Sequence, residues 1–278
     1  MCEYMHKTLQ IPIYQVDAFS NTVFGGNPAA VCPLDAWLPD SVLQKIAAEN
    51  NLSETAFVVA QGEGVYALRW FTPIAEVTLC GHATLATAFA LRYWQHSHAD
   101  ILHFDTLSGR LTVQVAPDGW YWLDFPADTP TPASVPMVLE EALGIVIDKV
   151  WKGQSDYMVR VADAATLRAL KPDFRQLAKL EARGCIITAK ADGHTPEADF
   201  VSRCFYPALG IDEDPVTGSA HTLLVPYWAN ELQKSKLQAV QISTRAGHLH
   251  CVWEAGQRVQ LAGQAAPYLA GVLTVPID

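Results

Sequence analysis

Charge is scarce in this chain of 278 residues: 17% are Asp, Glu, Lys or Arg, while half are hydrophobic. That composition supplies ample buried core and excludes a disordered chain. Positive charge is scarcest, with 19 Lys and Arg against 29 Asp and Glu, a formal net charge of −10. A surface of that sign repels phosphate backbones, so no nucleic-acid partner is expected; a local basic pocket for an acidic small molecule stays compatible with it. Long apolar runs are lacking: none approaches the roughly 18–20 residues that a helix needs to span a bilayer, so no membrane partner is expected. The cysteines, Cys2, Cys32, Cys80, Cys185, Cys204 and Cys251, are scattered. None forms a Cys-x-x-Cys pair, which leaves little support for a zinc or dithiol redox site. The stretch Met1 to Gln10, with Glu3, His6 and Lys7, lacks the apolar segment of a secretory leader. Free thiols without an export signal predict a cytoplasmic protein.

What the chain does contain is an internal repeat. Phe71-Thr72-Pro73 leads to Gly81-His82-Ala83, and Phe205-Tyr206-Pro207 leads to Gly218-Ser219-Ala220. The Phe-to-Gly separation is 10 in the first and 13 in the second. Thr106-Leu107-Ser108-Gly109 then matches Thr244-Arg245-Ala246-Gly247, with Gly109 28 residues after Gly81 and Gly247 29 after Gly218. Upstream, Pro39-Asp40 and Pro172-Asp173 each open a helical pattern that leads to an apolar strand. Two halves are expected, 1–128 and 129–278, joined where Pro126, Pro130 and Pro132 mark a linker. Each half should hold its own sheet, and the strand-like tail, 265–278, is expected to return to the first half.

Within each half the pattern reads as strands around a helix. Asp40 to Asn50 predicts a helix, with Asp40 as N-cap and Val42, Leu43, Ile46 and Ala47 on one face. Strands are predicted at Ile13–Ala18, Ala56–Ala60, Ala67–Phe71, Leu111–Val115 and Tyr121–Phe125. His82 to Trp94 is apolar nearly all round and built of good helix formers, which predicts a deeply buried helix. A barrel-like α+β half follows, and two such halves would meet at a cleft.

Gly81-His82 and Gly218-Ser219 each begin a helical pattern. Helix N-termini carry unpaired N–H groups and partial positive charge, so two of them facing one cleft would receive a substrate carboxylate. The same glycines would serve equally if they only allowed tight turns into the helices. Glu54, just before an apolar strand, would be a proton carrier if it stood at the cleft edge; most such glutamates are merely surface. Asp214 either caps backbone N–H groups or meets the substrate. His82 reads either as a polar site residue or as a capping or core histidine. Cys80 reads as a small buried residue rather than a base.

Five blocks taken together resemble the PhzF family of phenazine-biosynthesis proteins. They are Val16-Asp17-Ala18-Phe19 with Gly26-Asn27-Pro28-Ala29, Ser53-Glu54-Thr55-Ala56-Phe57, Phe71-Thr72-Pro73, Cys80-Gly81-His82-Ala83-Thr84, and Glu213-Asp214-Pro215-Val216-Thr217-Gly218-Ser219-Ala220. The resemblance implies a diaminopimelate-epimerase-like fold of two β-barrel-like halves, each around a central helix. It implies isomerisation of a small carboxylate-bearing substrate by proton abstraction and return, without metal or organic cofactor, and a homodimer. Glu54 matches the family's acid/base, and His82, Asp214 and Ser219 its other polar active-site residues. Gly81 and Gly218 match anion-binding positions, and Asn27 and Asp17 belong to substrate-binding blocks. Related epimerases work with two thiols, one per half. Here Cys80 fills one place, and Pro215 falls where the second thiol is expected, so a single carboxylate fits better. A cysteine-dependent racemase and a non-catalytic binder on the same fold are the competing readings.

Overall fold

The computed structural model describes residues 8–276; Cys2, Glu3, His6 and Lys7 lie outside the described residues. Among the described residues six α-helices are set among many strands: α1 (Asp40–Asn50), α2 (Gly81–Tyr93), α3 (Met137–Leu143), α4 (Ala164–Ala169), α5 (Phe174–Leu177) and α6 (Gly218–Leu232). The strands form two barrel-like halves around α2 and α6. Every residue of α2 from His82 to Leu91 is buried, as its unbroken apolar pattern requires. Its small Ala83, Ala86, Ala88 and Ala90 let strands approach on all sides. Thr84 and Thr87 hide their hydroxyls by donating to Cys80 O and Ala83 O one turn back. One hydrophobic core runs through both helices, and two smaller ones lie outside it, under α1 and under α3 to α5.

Strand register gives the repeat an internal ruler. In the first half Thr55 opposes Phe71, and Ala29 lies beside Glu54 in a parallel pair. In the second, Cys185 opposes Phe205, and Asp156 lies beside Gly184. With Phe71 matched to Phe205, Glu54 corresponds to Gly184. The hairpins confirm the match of Gly109 with Gly247, which oppose Thr106 and Gln241 respectively. Thr106 therefore corresponds to Gln241 rather than to Thr244. The second hairpin has a longer loop, and the matching threonines were a coincidence of spacing.

Three further expectations change. The strands do not form two separate sheets. Tyr121–Pro126 of the first half pairs with Arg258–Gly263, and Ala265–Pro276 runs antiparallel along Thr8–Ala18, so hydrogen bonding is continuous across the halves. Pro39, not Asp40, is the N-cap of α1. Asp40 is its first helical residue and pairs instead with Arg69 at 2.9 Å. After Pro172, Asp173 does cap a helix, accepting from Arg175 N and Gln176 N, but α5 is only 4 residues long.

Candidate active site at the junction of the halves

The strand Glu54–Gly62 begins at the level where α2 begins, and its first residue faces the second residue of that helix. Glu54 Oε2 lies 3.1 Å from His82 Nε2, and the two side chains are 14% and 8% exposed. The approach is off-axis: neither atom has an aligned hydrogen-bond partner, although both are buried. Buried polar atoms are almost always hydrogen-bonded, so each of the two calls for a further partner. On the other edge of the ring, His82 Nδ1 lies 3.5 Å from Cys80 Sγ. Burial opposes a charge on His82, but the adjacent Glu54 carboxylate favours it, and the imidazolium is held well above its usual range. Burial pushes the Cys80 thiol up.

The two helix starts adjoin. A Cβ placed on Gly81 would lie 3.8 Å from Gly218 Cα, and one on Gly218 would lie 3.7 Å from Gly81 Cα. Neither cap residue, Cys80 nor Thr217, offers its side chain to the first turn of its helix. Two sets of helix-end N–H groups are thus left uncapped side by side, the arrangement that suits an anion.

Asp214 closes the third side. Asn27, from the first half, donates its Nδ2 to Asp214 Oδ1 at 3.0 Å and to Val216 O at 2.9 Å. Thr217 Oγ1 donates to Asp214 Oδ2. Gln241 Nε2 donates to Asp214 O at 2.8 Å, and Gln241 Oε1 accepts from Thr217 N at 2.9 Å. Burial raises the Asp214 carboxyl to about 6, against the opposing pull of His82, Thr217 and Asn27. Asn27 Oδ1 is itself buried without a partner.

Glu54, His82, Gly81, Gly218, Asp214 and Asn27 therefore gather at one place. Ser219, the second residue of α6, joins them at its edge, where its Oγ accepts from Arg183 at 3.1 Å. Asp17 is employed elsewhere. One of its oxygens accepts from Phe24 N at 2.7 Å and the other from Arg245 at 2.8 Å. It fixes the loop before Asn27 and is 2% exposed. Sequence reasoning missed Gln241, Thr217 and Arg183. The only sequence signal for Gln241 is an amide set between the apolar Val240 and Ile242. A surface cavity of about 250 Å³ lined by Trp120, Glu197, His248 and His250 lies apart from this cluster.

The position equivalent to Cys80 also needs correction. Cys80 is the cap residue of α2, and the cap residue of α6 is Thr217, not Pro215. The helix starts, rather than the residues counted back from them, define the match. Thr217 is no thiol and its hydroxyl is engaged by Asp214. At the Glu54-equivalent position a side chain is excluded: a Cβ on Gly184 would meet the Tyr206 ring at 2.3 Å and Phe205 O at 2.4 Å. Glu54, Cys80 and His82 bring ligand-type atoms within 4.8 Å of one another. Metal binding there would need a thiolate and a neutral imidazole, so both residues would have to release a proton to the solvent.

Paired barrel-like halves, each with a buried helix aimed at a shared junction, define the diaminopimelate-epimerase-like class. A hydroxyproline epimerase from Agrobacterium vitis shares this fold with a TM-score of 0.60 at 10% identity, over 99% of this chain and 95% of that one. Residues 16–271 match the family described as phenazine biosynthesis-like protein, PhzC-PhzF, and the chain belongs to that family. An uncharacterised isomerase of Pseudomonas aeruginosa is 52% identical over 265 residues, 95% of this chain and 99% of the relative. The crystal structure of a PhzF-family protein from Enterococcus faecalis superposes with a TM-score of 0.90 at 45% identity, over 95% of this chain and 99% of that one.

Proposed function

We propose that this protein is an isomerase that moves a hydrogen between two positions of a small carboxylate-bearing substrate, with Glu54 as the proton carrier and no metal or organic cofactor. The observation that carries the reading is the pair Glu54 Oε2 and His82 Nε2. They lie 3.1 Å apart, buried and unaligned, beside two uncapped helix N-termini. The substrate carboxylate docks on the N–H groups around Gly81-His82 and Gly218-Ser219. Glu54 takes a proton from a nearby carbon. The C–H electron pair enters the conjugated system, and the charge that spreads toward the carboxylate is stabilised by the helix ends. Protonated Glu54, whose carboxyl proton exchanges with solvent while the intermediate lasts, returns a proton to another carbon, so a double bond moves and nothing is gained or lost overall. His82 and Asp214 orient the substrate and balance charge. The second half offers no thiol and no carboxylate at the equivalent positions, which supports chemistry on one face.

The test is solvent-deuterium exchange into a panel of small carboxylates bearing an acidic C–H. The expected result is label incorporation together with a shifted double bond, slowed by ~10²–10⁴-fold in Glu54→Gln with little change in binding. Cys80→Ser should have a modest effect. The contact between Cys80 Sγ and His82 favours a second reading, a thiol-dependent epimerase. An active Glu54→Gln enzyme with an inactive Cys80→Ser enzyme, and inversion of a stereocentre, would establish that reading instead. A homodimer accompanies the proposal. Phe24, Tyr268, Leu269 and Val272 are exposed apolar residues, and Phe24 meets Tyr268 edge-on at 5.7 Å. Sedimentation of a monomer at micromolar concentration would remove the dimer.

A further inference from the structure

The register match shows that the two halves are chemically opposite at the junction. In the first half the strand start carries Glu54 against His82 of α2. In the second, the same strand start is the forced glycine Gly184, and its neighbour Arg183 reaches the residue that corresponds to His82, Ser219 of α6. Arg183 is held rigidly. Its Nε donates to Asp156 Oδ1 at 2.9 Å and its Nη2 to Asp156 Oδ2. Its guanidinium lies 5.2 Å over the Tyr206 ring. Asp156 is buried, whereas the Arg183 side chain keeps 35% exposure. Nη1 makes no hydrogen bond among the described residues, and the buried Tyr206 hydroxyl also lacks a partner. A guanidinium clamped along its Nε–Nη2 edge by a carboxylate, with Nη2 also donating to Ser219 Oγ, keeps Nη1 as a fixed, charged donor for an anion.

Building on the proposed carboxylate substrate, we propose that Arg183 is a specificity-determining residue that contacts a second carboxylate, so that the site selects dicarboxylates over monocarboxylates. The helix N-termini take the first carboxylate, and Nη1 of Arg183 donates to the second. Asp156 and Tyr206 act by fixing the plane of the guanidinium.

The experiment is calorimetric titration with malonate, succinate and glutarate against acetate, propionate and butyrate. Wild type should bind at least one dicarboxylate roughly 10–100-fold more tightly than its monocarboxylate, the range of one charge-assisted hydrogen-bonded contact. Arg183→Gln should bring the dicarboxylates to the monocarboxylate level and leave the monocarboxylates within a few-fold. If the unpaired Asp156 prevents that variant from folding, Asp156→Asn/Arg183→Gln removes both charges and should give the same loss. No preference in wild type, or a preference that survives in either variant, overturns the proposal. The readout needs no turnover, and Glu54→Gln should retain the preference. A dicarboxylate preference without deuterium exchange would sink the isomerase reading alone, and exchange without the preference would sink the role of Arg183 alone.

Discussion

At the residue scale, Asp214 has the most consequential environment. Its carboxyl moves from 3.8 to about 6 because burial penalises the anion more than Asn27, Thr217 and His82 stabilise it. The folded state then holds this proton more firmly than the unfolded chain does. The contribution to stability is full below pH ~4 and is lost as pH rises through about 6, a change of ~3 kcal/mol. Asp214→Asn carries no charge at any pH. Its stability relative to wild type should therefore rise by ~2 kcal/mol between pH 4.5 and 7.5, measured by urea unfolding at both. A flat difference would show that the carboxyl is not raised. Asn27 is the donor that the first half lends to this group. Asn27→Ala would leave Asp214 Oδ1 and Val216 O short of a donor and should cost about 1–3 kcal/mol in the same melts. The sequence offered Glu54, His82, Asp214 and Asn27 through their short blocks. It could not show that Asn27 serves Asp214, 187 positions away.

At the scale of elements, α6 shows how a local defect is used. Pro226 stands inside the helix and has no N–H to offer the carbonyl of Thr222. That carbonyl instead accepts from Asp128 N at 3.0 Å, which docks the linker between the halves onto the helix. Pro226→Ala would restore a competing donor. The amide of Asp128 should then exchange with solvent faster, read by hydrogen exchange; unchanged protection would show that the linker is held by other contacts. The strand that starts at Gly184 shows the opposite constraint, space rather than bonding. Gly184→Ala would drive a Cβ to 2.3 Å from the Tyr206 ring. The ring must shift, and a loss of about 1–3 kcal/mol is expected, the range for overpacking. A fully stable Gly184→Ala protein would mean that the strand start has room for a side chain.

At the scale of the molecule, two of the bridges that hold the halves together can be tested separately. One is the strand pair Tyr121–Pro126 with Arg258–Gly263. The other is Arg245, whose Nε donates to Gly26 O at 2.8 Å and whose Nη2 donates to Asp17 Oδ1 at 2.8 Å and Gly25 O at 3.0 Å. Asp17 is 2% exposed, so Arg245→Met would strand a buried carboxylate. The cost should be about 2–3 kcal/mol, less than for a fully buried pair because the Arg245 side chain is 29% exposed. Asp17→Asn/Arg245→Met should recover part of it. We keep the division into 1–128 and 129–278, with 265–278 returning to the first half, as a proposal. Because hydrogen bonding is continuous across that division, denaturant should unfold the chain in one cooperative step. Two separated transitions would mean that the halves are independent.

The sequence by itself determined the periodic elements and the repeat. The buried helix after Gly81, the helix at Asp40–Asn50 and the strands that flank them follow from local apolar spacing, which a linear chain displays directly. It also determined which short blocks resemble the family. Tertiary structure alone decided the register, and through it that Glu54 is matched by Gly184, that Thr106 is matched by Gln241 and that Cys80 is matched by Thr217. Pairing between strands is a long-range choice, and loops of unequal length hide it from any count of residues. It alone also set Asp17 against Arg245, Arg183 against Ser219 and Asn27 against Asp214. Burial, which shifts an acid and orphans a donor, arises only when distant segments exclude water together.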